Sequence, residues 1–260
     1  MDAEIYLDNN SFIHRLDPRT KILVFLMTFV ALLLFEDPFW MLPVAFLILV
    51  QLIISSAVLN LRRIRYILIV LTISSLVLWN FFSQGVTPLF WVFELESFYF
   101  SIARTLLILF MIATGMILIT TTRNEELVLG MIRLGMPYRV GFAISTALRL
   151  VPTIASSTMT ISQAQRSRGL NLDSGGIMDR IRKFLPLLVP VFISTIRSTN
   201  IFAMALESKG FGAREVRTFY LNLQMRKADY FVLTFASLFT IVSIVFAVMG
   251  YGKIIGLTRF

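Results

Sequence analysis

Apolar residues run through this chain in five blocks, at about 22–35, 39–59, 66–82, 101–122 and 230–251. A helix needs about 17–25 such residues to cross the hydrocarbon core of a bilayer. Five transmembrane helices are therefore predicted, the first of them short and extending into Thr20 and Lys21. Between 123 and 227 the pattern changes: polar and basic residues interrupt the apolar ones, yet Leu, Ile, Val and Phe stay abundant. About a hundred residues of structureless loop would be unusual, and the spacing predicts helices instead. Asn124 stands as an N-cap before Glu125 and Glu126, Leu127, Met131 and Leu134 fall at i, i+4 and i+7, and Gly135-Met136-Pro137 ends that short helix. A long helix follows over about 138–168, kinked or interrupted near Pro152. Its polar residues Ser145, Arg149, Ser156, Thr160 and Gln163 recur at helical spacing and leave a broad apolar face. After a glycine-containing linker at 171–176 and the basic residues Arg180, Arg182 and Lys183, another long helix is predicted over about 185–209. The chain thus divides into 1–122, an N-terminal segment with four spans; 123–227, a region of cytoplasmic or interfacial helices; and 228–260, a last span and tail.

Composition agrees with a membrane. Hydrophobic residues make up 57% of the 260, well above the 45–50% or so of soluble domains, and the mean hydropathy is +0.80. The fold class expected is an all-α integral membrane protein of about five transmembrane helices plus a cytoplasm-facing helical domain. The net charge of +9 points to topology and away from nucleic acid, because the basic residues are sorted by side. Of the 24, Arg15, Arg19 and Lys21 precede the first span, Arg62, Arg63 and Arg65 lie between the second and third, and fifteen fall in 123–227. The opposite loops carry Glu36, Asp37, Glu94 and Glu96. The positive-inside rule then gives a cytoplasmic N-terminus and an external C-terminus. The first ten residues hold Asp2, Glu4 and Asp8 where a cleaved signal needs basic residues, so the first span is expected to be retained. Helices that are apolar but end in basic, polar tips are expected to lie partly in or beneath the bilayer, as a platform. The alternative is two further spans; 186–206 is long enough, although Arg197 near its centre would be costly there unless paired.

Much chemistry is excluded. There is no cysteine, and the one histidine, His14, precedes the first span, so neither a thiolate nor a histidine-rich metal site is available. No phosphate-binding Gly-x-x-x-x-Gly-Lys-Ser/Thr loop occurs. The spans carry no central Asp or Glu of the sort an ion-coupled carrier uses. A stand-alone secondary transporter stays open as the alternative, since Thr72, Ser74 and Ser75 could bind an ion through oxygen. Asp173 and Asp179 flank a glycine linker and read as loop and capping residues. No nucleophile with an adjacent base supports an intramembrane enzyme.

What stands out is a repeated helix ending. Ala164-Gln165-Arg166-Ser167-Arg168-Gly169-Leu170 and Ala205-Leu206-Glu207-Ser208-Lys209-Gly210-Phe211 share the pattern Ala-x-charged-Ser-basic-Gly-apolar, and each follows a Leu-Val-Pro, at 150–152 and 188–190. Capping accounts for a glycine and a basic residue at a helix end, but not for the shared Ser, Ala and upstream Leu-Val-Pro. Two basic-tipped helices fit a subunit that transmits work done by an ATPase pair, through charge-assisted contacts that fix register.

With these motifs the chain resembles the transmembrane T component of energy-coupling factor (ECF) transporters, the cobalt/nickel permease-like family. The blocks carrying the resemblance are His14-Arg15-Leu16-Asp17-Pro18-Arg19-Thr20-Lys21, Leu134-Gly135-Met136-Pro137, Ala147-Leu148-Arg149-Leu150-Val151-Pro152 and the twin endings. Asp17-Pro18 also reads plainly as an N-cap with proline at the first helical position. In that family the twin motifs are usually Ala-Arg-Gly. The resemblance carries them onto Ser167, Arg168 and Gly169 and onto Ser208, Lys209 and Gly210, with Arg166 and Glu207 supporting. Lysine at 209 keeps the charge and loses the planar fork. The resemblance implies a non-catalytic subunit in a prokaryotic plasma membrane, two ABC-type ATPase partners, identical or different, that bind ATP and Mg, and a membrane-embedded S component capturing a vitamin or transition-metal ion. It implies no cofactor or metal on this chain. The apolar faces of 138–163 and 185–205 are expected to hold the S component.

Overall fold

A computed structural model describes residues 11–82, 88–90, 93–170, 176–213 and 223–252. The acidic segment 1–10, the linker residues 171–175 with Asp173, and the tail residues Lys253 and Arg259 lie outside these. The described chain is helical apart from one short hairpin, and it divides into two compact units, Met1–Pro137 with Leu223–Phe260, and Tyr138–Asn222.

The first unit contains α1 (Pro18–Leu33), α2 (Pro38–Ile54), α3 (Val58–Arg63), α4 (Arg65–Phe82), the antiparallel strands β1 (Pro88–Phe90) and β2 (Phe93–Glu94), α5 (Leu95–Thr121), α6 (Asn124–Arg133) and α9 (Lys227–Val248). Two of its helices start from Asp-Pro. Asp17 and Asp37 each accept the backbone N–H two residues on, from Arg19 at 2.9 Å and Phe39 at 3.0 Å. The following proline has no N–H to leave orphaned. The expected cap at Asn124 is displaced by one residue: Arg123 is the extended N-cap without a side-chain bond, and Asn124 is already helical. Its two acidic neighbours, Glu125 and Glu126, occupy the first turn, where the helix dipole favours them.

Helix α5 is the axis of this unit and packs against α1, α2, α3 and α4, while α1 also packs against α6 and α9. The buried core runs through Ala31, Leu32, Val44, Ile48, Ala103 and Leu107. In hydrocarbon, where apolar burial gives little drive, small residues and interhelical hydrogen bonds hold helices together. Both occur here: Asn60 donates to Thr120 Oγ1 at 3.0 Å and Thr105 to Ser75 Oγ at 3.0 Å. Gly130 of α6 admits α1 closely, since a Cβ there would stand 3.1 Å from Pro18 Cβ. The one basic residue of α5, Arg104, lies 4.0 Å from Glu36 and over the Phe100 ring at 4.8 Å, so its charge is both paired and stacked.

Past α9 the chain folds back onto the start of α2. The Gly252 carbonyl accepts the N–H groups of Glu36 and Asp37, at 2.8 and 3.1 Å, beside Phe35 and Trp40. Gly252 has φ +81, and an added Cβ would overlap the Phe35 ring at Cδ1. Gly252→Ala is therefore expected to destabilise the protein by about 2 kcal/mol, of which left-handed backbone strain alone is about 1–2 kcal/mol. Thermal unfolding in detergent, compared with wild type, checks this.

Among the described residues five helices are long and apolar enough to cross a membrane: Arg65–Phe82, Leu95–Thr121, Tyr138–Ser167, Phe184–Ser208 and Lys227–Val248. The number agrees with the sequence expectation, but the membership differs. The first two predicted blocks fold as α1 and α2, of 16 and 17 residues, because Glu36, Asp37 and Pro38 break the apolar run between them. Two helices of the basic region take their place in length and composition.

The second unit is the pair α7 (Tyr138–Ser167) and α8 (Ile177–Ser208), packed on each other. Pro152 sits inside α7 without ending it, as expected of a helix running through to the first tip. Helix α8 begins eight residues before its predicted start, with both Pro186 and Pro190 inside it. A proline removes the bond to the carbonyl four residues back. The Pro186 carbonyl, freed by Pro190, instead accepts Gln165 Nε2 of α7 at 3.3 Å. A partner from the neighbouring helix thus takes over where the helix's own ladder is interrupted.

Candidate functional site

The twin sequence endings become twin structures. At the end of α7, Gly169 takes φ +90, its N–H donates to the Arg166 carbonyl at 3.0 Å, and the Leu170 N–H donates to the Gln165 carbonyl at 3.0 Å. At the end of α8, Gly210 takes φ +72, its N–H donates to Glu207 at 2.9 Å, and the Phe211 N–H donates to Leu206 at 2.9 Å. Both are Schellman motifs, which require a residue at positive φ and favour an apolar residue just beyond it. Gly135 and Gly250 end α6 and α9 with the same bonds. The glycine and the apolar residue are therefore general capping, and what is particular to the pair is the Ser-basic step.

The two serines turn their hydroxyls back onto their own helices, Ser167 to the Gln163 carbonyl at 3.1 Å and Ser208 to the Ala205 carbonyl at 2.9 Å. They add a second bond to carbonyls of the last turns, and the residue after each is exposed. Arg168 and Lys209 are exposed, and among the described residues neither side chain has a hydrogen-bond or ion-pair partner. Arg166 and Glu207, two residues earlier, are exposed as well. A cation near a helix C-terminus is favoured by the dipole, whereas an anion is not. Glu207 is thus in a place that helix stability does not explain.

The tips stand at opposite ends of the α7–α8 pair. Phe211, next to Gly210, packs on the beginning of α7, with ring centroids 4.3 Å from Phe142 and 6.5 Å from Tyr138. Gln165, three residues before Arg168, reaches Pro186 near the beginning of α8. The helices are therefore antiparallel, and the 23 residues from Phe142 to Gln165 set the tips about 35 Å apart at 1.5 Å per residue. The structure does not bring the two motifs into one site. It holds them as separate points on one hairpin, braced by a side chain at each end.

The N-terminal block is structural. Lys21, buried in the first turn of α1, donates to the His14 carbonyl at 3.0 Å and the Thr121 carbonyl at 2.7 Å. The Asp17 N–H donates to Asp229 Oδ1 at 2.8 Å, and Asp229 Oδ2 accepts the Arg226 N–H at 2.7 Å. Asp229 is 1% exposed. One acidic side chain thus fastens the start of α1 to the start of α9. Sequence reading passed over both Asp229 and Gln165. Asp229 carried one signal, an acid three residues after the residue preceding an apolar span, the spacing of a capping box. Gln165 carried none, because its partner exists only where Pro190 has freed a carbonyl.

Comparison with known proteins gives the lineage. The family model described as CbiQ, cobalt transport protein, matches residues 9–220. The energy-coupling factor transporter transmembrane protein EcfT of Thermosediminibacter oceani is 34% identical over 239 residues, covering 86% of this chain and 89% of that protein. EcfT of Listeria innocua is 32% identical, again over 86% and 89%, and that of Staphylococcus aureus is 31% identical over 88% and 90%. A match to four-fifths of the chain, together with relatives at this identity across nearly their full length, establishes that the chain belongs to the CbiQ cobalt transport protein family.

Proposed function

We propose that this chain is the energy-coupling transmembrane subunit of an ATP-driven ECF importer. The relatives bear the name of transmembrane proteins of energy-coupling factor transporters. The observation that carries the reading is the hairpin itself: two identically capped ends, each presenting an exposed cation, held about 35 Å apart. A single binding groove needs one such tip, and two subunits need two. On this reading Arg168 and Lys209 dock on two ABC-type ATPase subunits, where ATP and Mg are bound, and Ser167, Gly169, Ser208 and Gly210 fix the direction in which the cations point. The chain is a coupling part and not the catalyst. Its basic segments set the N-terminus and the tips on the cytoplasmic side of the plasma membrane.

The hairpin also offers an apolar surface. Val151 and Met159 on α7, with Leu185 and Ile193 on α8, are all more than half exposed. Contiguous apolar surface of this kind marks a protein or membrane contact, and we assign it to a membrane-embedded S component that carries the vitamin or transition-metal ion. Affinity purification of the tagged chain from its native membrane, with mass spectrometry of what stays bound, tests the whole reading. Recovery of one or two ABC-type ATPases and a small membrane protein supports it. Recovery of the chain alone in a mild detergent, with substrate uptake by the purified chain in liposomes, would move the function to a secondary carrier.

Lys209→Arg separates recognition from folding. The ammonium is exposed and has no partner among the described residues, so arginine is accommodated and adds a planar fork. Uptake by the assembled complex is expected to equal or exceed wild type, with unchanged thermal stability. A loss of folding on this change would show that Lys209 serves the hairpin and not a partner.

A further inference from the structure

The first unit contains a cavity of about 560 Å³ between α1, α2, α5 and α9, in the size range of about 300–1,000 Å³ in which proteins hold small ligands. It is open to the outside, since Phe46, Phe231 and Phe235 line it and are each more than half exposed. Along α2 it extends from Pro43 to Ile54, about 16 Å at 1.5 Å per residue, close to half of a hydrocarbon core about 30 Å thick. Its depth is that of one leaflet.

Polarity is graded along it. At the end formed by the N-terminal turn of α1 and the last turn of α5 stand Gln51 and the buried Lys21, whose ammonium is already engaged by the His14 and Thr121 carbonyls. Among the described residues the Gln51 side-chain amide has no hydrogen-bond partner. Farther in, the hydroxyls of Thr28 and Thr114 are already spent on carbonyls of their own helices, that of Thr28 on Val24 and that of Thr114 on Phe110 and Met111. The inner end therefore offers only alkyl and aromatic surface. Arg15 is exposed and lies in sequence between Ile13 and Leu16, two residues that line the polar end.

We propose that this cavity is a binding site for one anionic membrane phospholipid. An acyl chain lies along α2 and the inner walls, the Gln51 amide donates to an ester carbonyl, and Arg15 faces the phosphate. The site needs no ATPase or S component; only its placement in the cytoplasmic leaflet rests on the orientation proposed above.

The test uses the full chain, purified and delipidated, titrated with phosphatidylglycerol or phosphatidylcholine in mixed micelles and read by native mass spectrometry. One saturable phosphatidylglycerol adduct is expected, held about fivefold more tightly than phosphatidylcholine, the preference that one arginine near a headgroup supplies. Arg15→Gln is expected to cut the preference at least by half and keep the adduct. Val50→Trp and Leu118→Trp, which fill the cavity from α2 and from α5, are expected to abolish the adduct. Non-saturable binding, equal affinity for the two lipids in the wild type, or an adduct that persists in both tryptophan variants at wild-type helix content would overturn the assignment. Failure here with ATPases still co-purifying leaves the coupling function intact, and the reverse result leaves the lipid site.

Discussion

Replacing Arg168 and Lys209 together by glutamate is expected to lower the affinity for the ATPase subunits roughly a thousand-fold. Breaking one charge-assisted contact costs about 2 kcal/mol, and glutamate adds repulsion where the partner's surface is complementary to a cation. Two such losses sum to about 4 kcal/mol, or close to three decades in affinity. Summing them is justified by the hairpin: the tips are separated by most of the length of α7 and share no residue, and distant sites are additive to within a few tenths of a kcal/mol. Each single variant should accordingly lose about thirty-fold. Both cations are exposed and neither side chain takes part in the capping bonds of its helix, so the fold is kept and stability falls only by the charge reversal at each helix C-terminus, about 1 kcal/mol per tip. Titration of purified ATPase subunits against the chain in nanodiscs measures the three affinities. A double variant that binds as well as wild type would remove the tips from the coupling interface.

The second large effect is on stability. Asp229→Ala deletes the acceptor of two backbone N–H groups, those of Asp17 and Arg226, at a position that is 1% exposed. Hydrogen bonds to a charged group contribute about 1.5–3 kcal/mol each, and a buried N–H left without a partner adds its desolvation cost. A loss of about 3–5 kcal/mol is expected, which lowers the unfolding midpoint by roughly 10 °C in a protein of this size. Asp229→Asn keeps one acceptor oxygen without the charge and should fall between. The clasp joins residues 212 apart in sequence, so the alanine variant should also increase hydrogen exchange at the starts of α1 and α9 together. Exchange confined to α9 would mean that Asp229 is only a helix cap.

Several features could be read from residue order because their causes are local. Asp17 followed by Pro18 fixes a helix start through one side chain and one ring, and Gly169 and Gly210 fix helix ends because the φ they adopt is costly for other residues. The Ser-basic step was visible as a repeat. The start of α8 was not, since the basic residues Arg180, Arg182 and Lys183 read as lying ahead of the helix, and neither was the bond that offsets Pro190, which comes from Gln165, 21 residues before Pro186. The clasp on Asp229 and the amphiphile-shaped cavity were equally out of reach, each being assembled from helices far apart in the chain.

By itself, then, the sequence determined that this is a helical membrane protein with two matched basic tips, because hydropathy, charge asymmetry and capping each depend on neighbours within a turn or two. Only the tertiary structure decided where those tips stand. The antiparallel packing of α7 on α8, fixed by Phe211 on Phe142 and by Gln165 on Pro186, turns a repeated motif into two separate points facing apart. Where α1, α2, α5 and α9 leave room between them was likewise settled by packing. Side chains distant in sequence meet only after the helices have docked, and no local rule encodes which carbonyl, ring or cavity wall they will find.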